Sequence, residues 1–216
     1  MKKSKVNPYQ HTKSQIAKHS RPEIVQRTVN KAKRRANNIE IINNLNLTSI
    51  LCIGARHDSE VQSFIDAGYH CIGIDIATKT DLIMKVDAHE IDTHSMSFDL
   101  VYASHSLEHM HDPVKVLKNI RKIARVGLLA ILPVTSVLKP GHPVIFDIMA
   151  NPPDIYTGDP DFKALEPYEI AHYEKNNEEI TVLFRFTGRY GMGRLNTTSI
   201  QPEVLGSSPS FRSKKL

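Results

Sequence analysis

The 216-residue chain contains no tryptophan, and aromatic residues make up only 6% of it. It also has no apolar run approaching the roughly 18 residues that a membrane-crossing helix needs, and its opening stretch MKKSKVNPYQ lacks an apolar signal segment. A membrane-spanning or exported protein is therefore not expected, and a cytoplasmic one is. Cysteine is nearly absent. Cys52 and Cys71 both lie inside apolar runs, which excludes a disulfide-stapled scaffold and reads as two free, buried thiols in a reducing compartment.

Charge is unevenly spread along the chain. Residues 1–45 hold eleven Lys or Arg against two Glu, net +9, while the whole chain carries +5, so the remainder carries −4. Basic character belongs to an arm and not to the rest. Within that arm, Pro22 stands near a helix start, and Ile24, Val25, Val29, Ala32 and Ala36 form a thin apolar face opposite Arg27, Lys31 and Arg34. The plain account is a solvated helix packed on the domain. The sharper one is a nonspecific contact with nucleic acid, an anionic lipid or an acidic partner through Lys31, Lys33, Arg34 and Arg35. The expected organisation is a basic helical arm over 1–45, an α/β domain over 46–205 and a flexible tail over 206–216.

What the chain does contain, from Thr48 onward, is an alternation of short apolar runs with helical patterns. SILCIG (49–54), HCIGID (70–75), DLIMKV (81–86), FDLVYAS (98–104) and GLLAILPV (127–134) read as strands, with helices over SEVQSFIDAG and after Pro113. Asp112-Pro113 is a helix start, with the acid as N-cap and proline at the first helical position. Such alternation implies a doubly wound, mostly parallel sheet with helices on both faces, whose ligands bind at the carboxyl ends of the strands. EEITVLFRFTG (178–188) reads as a late strand with Ile180, Val182, Phe184 and Phe186 on one face, and PYEIAHYEK suggests a short helix. The stretch 138–179 is otherwise long, Pro-rich and irregular.

The segment SHSLEHMHDP contains H-x-x-E-H in His105, Glu108 and His109, the letters of an inverted zincin site. Zinc chemistry needs both histidines on one face of a long helix. Here a strand ends at Ser104 and a helix starts at Asp112, so 104–111 is a connection, and no metal is expected. The first turn, CIGARHDSE, opens directly into a helix and offers backbone N–H groups there. It has one glycine, Gly54, where a dinucleotide enzyme would want G-x-G-x-x-G. Twenty-one residues on, Asp75 occupies the position where an acid accepts hydrogen bonds from a ribose diol.

Over roughly residues 48–134 these blocks resemble the class I S-adenosylmethionine-dependent methyltransferases, particularly the ubiquinone-type and small-molecule subgroup. ILCIGARHDSE looks like motif I, IGID ends in the ribose-binding acid, VDAHEI is similar to the adenine-binding segment, and SFDLVYASHSLEHMHDP looks like the motif IV strand with the S-x-x-L-E-H that follows. The resemblance implies S-adenosylmethionine as cofactor. It places Gly54 and Ala55 by the methionine portion, Asp75 at the ribose, Asp87 and Ala88 at the adenine, and Ser104 and His105 beside the sulfonium, with Arg56 and Ile76 as further cofactor-binding residues. Cys52 stands where the family usually has an acid, and Asp58, near the cofactor's carboxylate, would repel it unless turned away. Asn151-Pro152-Pro153-Asp154 follows the fifth strand instead of the fourth, so a turn-forming loop is expected and not a grip on a flipped base.

Methyl transfer from a sulfonium asks mainly for alignment, and for a base only where the acceptor is a weak acid. His105 and His109 are the catalytic candidates, with His142 a further one by type. The acceptor is unidentified, with a small molecule favoured. The competing reading is a catalytically degenerate domain that serves as a binding or assembly part and contacts RNA or a protein through its arm.

Overall fold

The computed structural model describes Gln26, Val29, Asn30, 37–134 and 162–187. The expectations placed on Lys31, Lys33, Arg34, Arg35, His142, 151–154 and the tail fall outside these residues. Seven strands form one sheet: β1 Ser49–Ile53, β2 His70–Asp75, β3 Ile83–Lys85, β4 Phe98–Ser104, β5 Ala124–Pro133, β6 Tyr168–Lys175 and β7 Glu179–Phe186. Their order is β3-β2-β1-β4-β5-β7-β6. The first five run parallel, and β7 is antiparallel to both β5 and β6.

Alternation along each strand feeds two cores, one on either face of the sheet. Leu51 and Ile53 face the side covered by helix α2 (Pro113–Ile123), together with Val101, Leu128, Ile180, Val182 and Phe184. Ile50 and Cys52 face the side covered by helix α1 (Asp58–Asp66), together with Tyr102, Leu129 and Leu183. On α2, Val116, Leu117, Ile120 and Ile123 are at most 1% exposed. Each such side chain is worth about 1.5–3 kcal/mol of burial. The helix starts as its sequence predicts: Asp112 accepts from the Lys115 amide at 2.9 Å, and Pro113 follows. On the α1 side, two 3-10 turns over Asn37–Ile41 and Asn43–Leu45 bring in Ile42, which is fully buried.

Gly127 has a packing reason. A Cβ there would meet the Phe184 carbonyl oxygen at 2.1 Å, so the close approach of β7 to β5 admits no side chain. The two thiols are free and buried, with their sulfurs 3.5 Å apart. Burial first, and then the Cys71 thiol, push the Cys52 thiol well above its ordinary range.

β3 is shorter than the run DLIMKV, Ile83–Lys85 against 81–86, and two further differences from the sequence reading have a cause in the sheet. PYEIAHYEK is not a helix but the edge strand β6, paired along β7 from Tyr168↔Phe186 to Lys175↔Ile180 with a bulge between Ile170 and His172. The bulge interrupts the period-2 pattern, and pairing with β7 decides the conformation over local propensity. β5 begins at Ala124, three residues before the apolar run, because Arg125 is drawn to Asp99 at the foot of β4.

Candidate functional site at the carboxyl ends of the strands

The parallel register brings the ends of β1 to β4 to one side of the sheet, and the connections that leave them are joined. Thr78 Oγ1 donates to the Arg56 carbonyl at 3.4 Å, and the Val86 amide donates to the Asp75 carbonyl at 3.1 Å. Gly54 follows β1 with φ +72°, a conformation glycine adopts without strain. A Cβ on Gly54 would lie 2.5 Å from Ser106 Cβ, so the turn after β1 and the loop after β4 pack directly together. The Gly54 and Ala55 amides both donate to the Ile74 carbonyl, at 2.8 and 3.1 Å, and so continue the β1–β2 ladder.

Asp58 is turned toward the β2–β3 connection, where it accepts from Thr80 Oγ1 at 2.5 Å. The Arg56 guanidinium forms no ion pair among the described residues. Burial first, and then Arg56, hold the His57 imidazole below its ordinary range.

Two acids share one arrangement. Asp75, the last residue of β2, is 6% exposed, and its Oδ1 accepts from the Ala77 and Thr78 amides at 2.7 and 2.8 Å. Asp87 caps the 3-10 turn Ala88–Glu90, and its Oδ1 accepts from the His89 amide at 2.9 Å and meets His89 Nδ1 at 2.6 Å. In each case one oxygen fixes the loop, while Oδ2 has no partner among the described residues and is not sealed off. Burial pushes the Asp87 carboxyl up, but the hydrogen bonds from His89 outweigh it and hold the group below the usual carboxylate range. Ile76, next to Asp75, is 39% exposed, the most exposed large apolar side chain among the described residues.

After β4 the chain makes one 3-10 turn, Leu107–His109, and not a long helix. Ser104 is buried, and His105 takes φ +48°, a left-handed conformation uncommon for a side-chain-bearing residue. Its Nε2 lies 3.0 Å from Glu179 Oε1 and its Nδ1 3.4 Å from Glu108 Oε1, while His109 Nε2 lies 3.9 Å from the same Glu108 oxygen. Glu108 is 2% exposed, and neither of its oxygens has hydrogen-bond geometry with any described group. Among the described residues no three histidine, cysteine or carboxylate side chains converge as metal ligands.

Glu179 is absent from the sequence reading. It opens β7, and because β7 runs antiparallel its first residue reaches the carboxyl ends of the other strands. His89 is absent too, although Asp-x-His at a turn is a local capping pattern that could have drawn attention to it.

Residues 51–132 match a family model described as a methyltransferase domain. A search of curated protein sequences finds no match. Among solved structures the chain is similar to the 1,6-didemethyltoxoflavin-N1-methyltransferase of Burkholderia thailandensis, which holds 1,6-didemethyltoxoflavin and S-adenosylhomocysteine. The TM-score is 0.63 at 14% identity, covering 87% of this chain and 94% of that one. It is also similar to the magnesium protoporphyrin IX methyltransferase of Synechocystis PCC 6803 with bound S-adenosylmethionine, at TM-score 0.53 and 11% identity, covering 77% and 86%. At these identities the structural likeness speaks to the fold. With the sheet order and the family match together, residues 51–132 are similar to a methyltransferase domain, and the fold around them is that of these solved methyltransferases.

Proposed function

We propose that the chain transfers a methyl group from S-adenosylmethionine to a small-molecule acceptor. The observation that carries this reading is the pair of acids, Asp75 and Asp87, each with one oxygen tied to its own loop and the other without a partner among the described residues, with the exposed Ile76 beside the first. That donor set suits an adenosine. Asp75 Oδ2 would accept from the ribose hydroxyls, Asp87 Oδ2 from the exocyclic amine of adenine, and Ile76 would cover an apolar face of the base.

The methionine end is read differently from the resemblance alone. Because the Gly54 and Ala55 amides already serve the Ile74 carbonyl, Arg56, whose guanidinium forms no ion pair among the described residues, would meet the amino acid's carboxylate. Asp58, held by Thr80, stays out of the way. The cofactor supplies a methyl group on a positively charged sulfur with a neutral thioether as leaving group. The chain's own part is to align the acceptor, exclude water and, where the acceptor carries a proton, receive it. Ser104 and His105 at the end of β4 border that position, and His105 and His109 are the groups of suitable type there.

A small acceptor is favoured because the neighbours above act on small ring systems, a toxoflavin precursor and a porphyrin, by their descriptions. The packing of Ser106 over Gly54 favours a second reading, a domain that keeps the fold but has closed the methionine end. Incubation with methyl-labelled S-adenosylmethionine and separate small-molecule, RNA and protein fractions distinguishes these. Label entering the small-molecule fraction supports the proposal. Label entering RNA or protein moves the acceptor to that class, and no transfer to any fraction favours the degenerate reading.

A further inference from the structure

Helix α2 holds the segment 87–90 from behind. His89 is 5% exposed, and a buried imidazole is satisfied only when both ring nitrogens find partners. The Asp112 amide donates to His89 Nε2 at 3.3 Å. Since an amide N–H only donates, Nε2 carries the lone pair, so Nδ1 carries the proton and donates to Asp87 Oδ1 at 2.6 Å. The ring is stacked on His111 with centroids 3.8 Å apart.

One turn into α2, Lys115 pairs with Glu90 at 2.7 Å. Deeper along the helix, the buried Asn119 donates to the carbonyls of Ala88 and His89, both at 3.2 Å. Every one of these bonds acts on the loop that presents Asp87, and none uses Asp87 Oδ2.

A carboxylate on one torsion can swing its second oxygen freely unless the first is pinned. Here it is pinned twice by His89, and His89 is in turn pinned by the helix cap, the His111 ring and Asn119. An oxygen so fixed is an acceptor of defined direction. It favours a purine whose 6-position donates and disfavours one whose 6-position is a carbonyl, because two acceptors facing each other leave both unpaired.

We infer that His89 and Asn119 are positioning residues that fix Asp87 for recognition of a 6-aminopurine, and so set the nucleobase discrimination of this site. The inference rests on the adenosyl-cofactor reading given above.

The test is calorimetric titration of the full chain with S-adenosylhomocysteine and with its 6-oxo analogue S-inosylhomocysteine. Wild type is expected to prefer the amino compound by roughly 30-fold or more. His89→Phe keeps a ring against His111 but removes both ring hydrogen bonds, and should reduce that ratio to within about threefold. His89→Asn, which restores a donor near the Nδ1 position, should recover most of it. Asn119→Ala, acting from α2, should lower the ratio in the same direction and carries the test should His89→Phe fail to fold.

A merely structural role would weaken both ligands equally. A folded His89→Phe or Asn119→Ala chain that retains the wild-type ratio, or that loses affinity for both ligands in parallel, overturns the inference. Failure of wild type to bind either nucleoside overturns the cofactor reading itself, and is distinguishable because it needs no variant.

Discussion

Asp99 and Glu108 are both buried carboxylates, one at the amino end of β4 and one just past its carboxyl end, and their surroundings could hardly differ more. Asp99 Oδ2 accepts from the amides and hydroxyls of Thr48 and Ser49 at 2.7 to 3.3 Å, and its Oδ1 receives the Arg125 guanidinium at 2.6 and 3.0 Å. Glu108 has two histidines within 4 Å and no hydrogen bond among the described residues. The same contrast extends to the hydroxyls of Ser104 and Ser106, which are buried at the carboxyl end without partners among the described residues. One end of the sheet satisfies its polar groups and so stabilises the fold. Among the described residues the other leaves acceptors and donors unmet beside two left-handed turns, at Gly54 and His105, and that is where a ligand has something to add.

The comparison breaks most visibly at Asp99. Asp99→Ala should lower stability by about 3 kcal/mol, since it orphans the Thr48 and Ser49 donors and the Arg125 pair, while cofactor affinity in the folded fraction stays unchanged. Denaturant midpoints and a parallel titration check both halves of that statement.

Asp75→Ala should do the reverse. It is expected to weaken S-adenosylhomocysteine binding by about 1.5–3 kcal/mol with a near-normal melting transition, and a shifted transition with unchanged affinity would reassign Asp75 to the scaffold.

Acid sharpens the contrast further. Burial raises the Asp99 carboxyl, but the hydrogen bonds from Thr48, Arg125 and Ser49 outweigh it and lower the group from 3.8 to about 2. The folded state therefore binds fewer protons than the unfolded one between these values. The stabilisation is fully present above pH 3.8 and is lost as pH falls through about 2. It should amount to about 1–2 kcal/mol after allowance for solvent screening. Asp99→Asn should flatten that limb of the stability curve.

The smallest effect is expected at Glu108→Gln. Replacing a carboxyl that makes no hydrogen bond among the described residues should change stability by less than about 1 kcal/mol, and a loss above about 2 would mean that the histidine contacts matter to the fold.

The sequence made the central strands legible because they are buried on both faces and read as apolar runs, and α2 because Asp112-Pro113 marks its start. The carboxyl-end location of Asp75, Asp87 and His105 followed from the strand boundaries alone. What stayed hidden depends on distant pairing. β6 reads as a helix until β7 is placed beside it, and Glu179 meets His105 across 74 positions of sequence because one antiparallel strand returns to the far edge of β5. The contacts of Ala88 and His89 with α2 and its cap span 23 to 31 positions and leave no periodic trace.

The most direct measurement is calorimetric titration of S-adenosylhomocysteine into the wild-type chain and into Asp75→Ala under the same conditions. The account predicts one site per chain in wild type, with affinity reduced roughly tenfold or more in the variant. Absence of binding to a folded wild-type chain, or equal affinity in the two proteins, would contradict it.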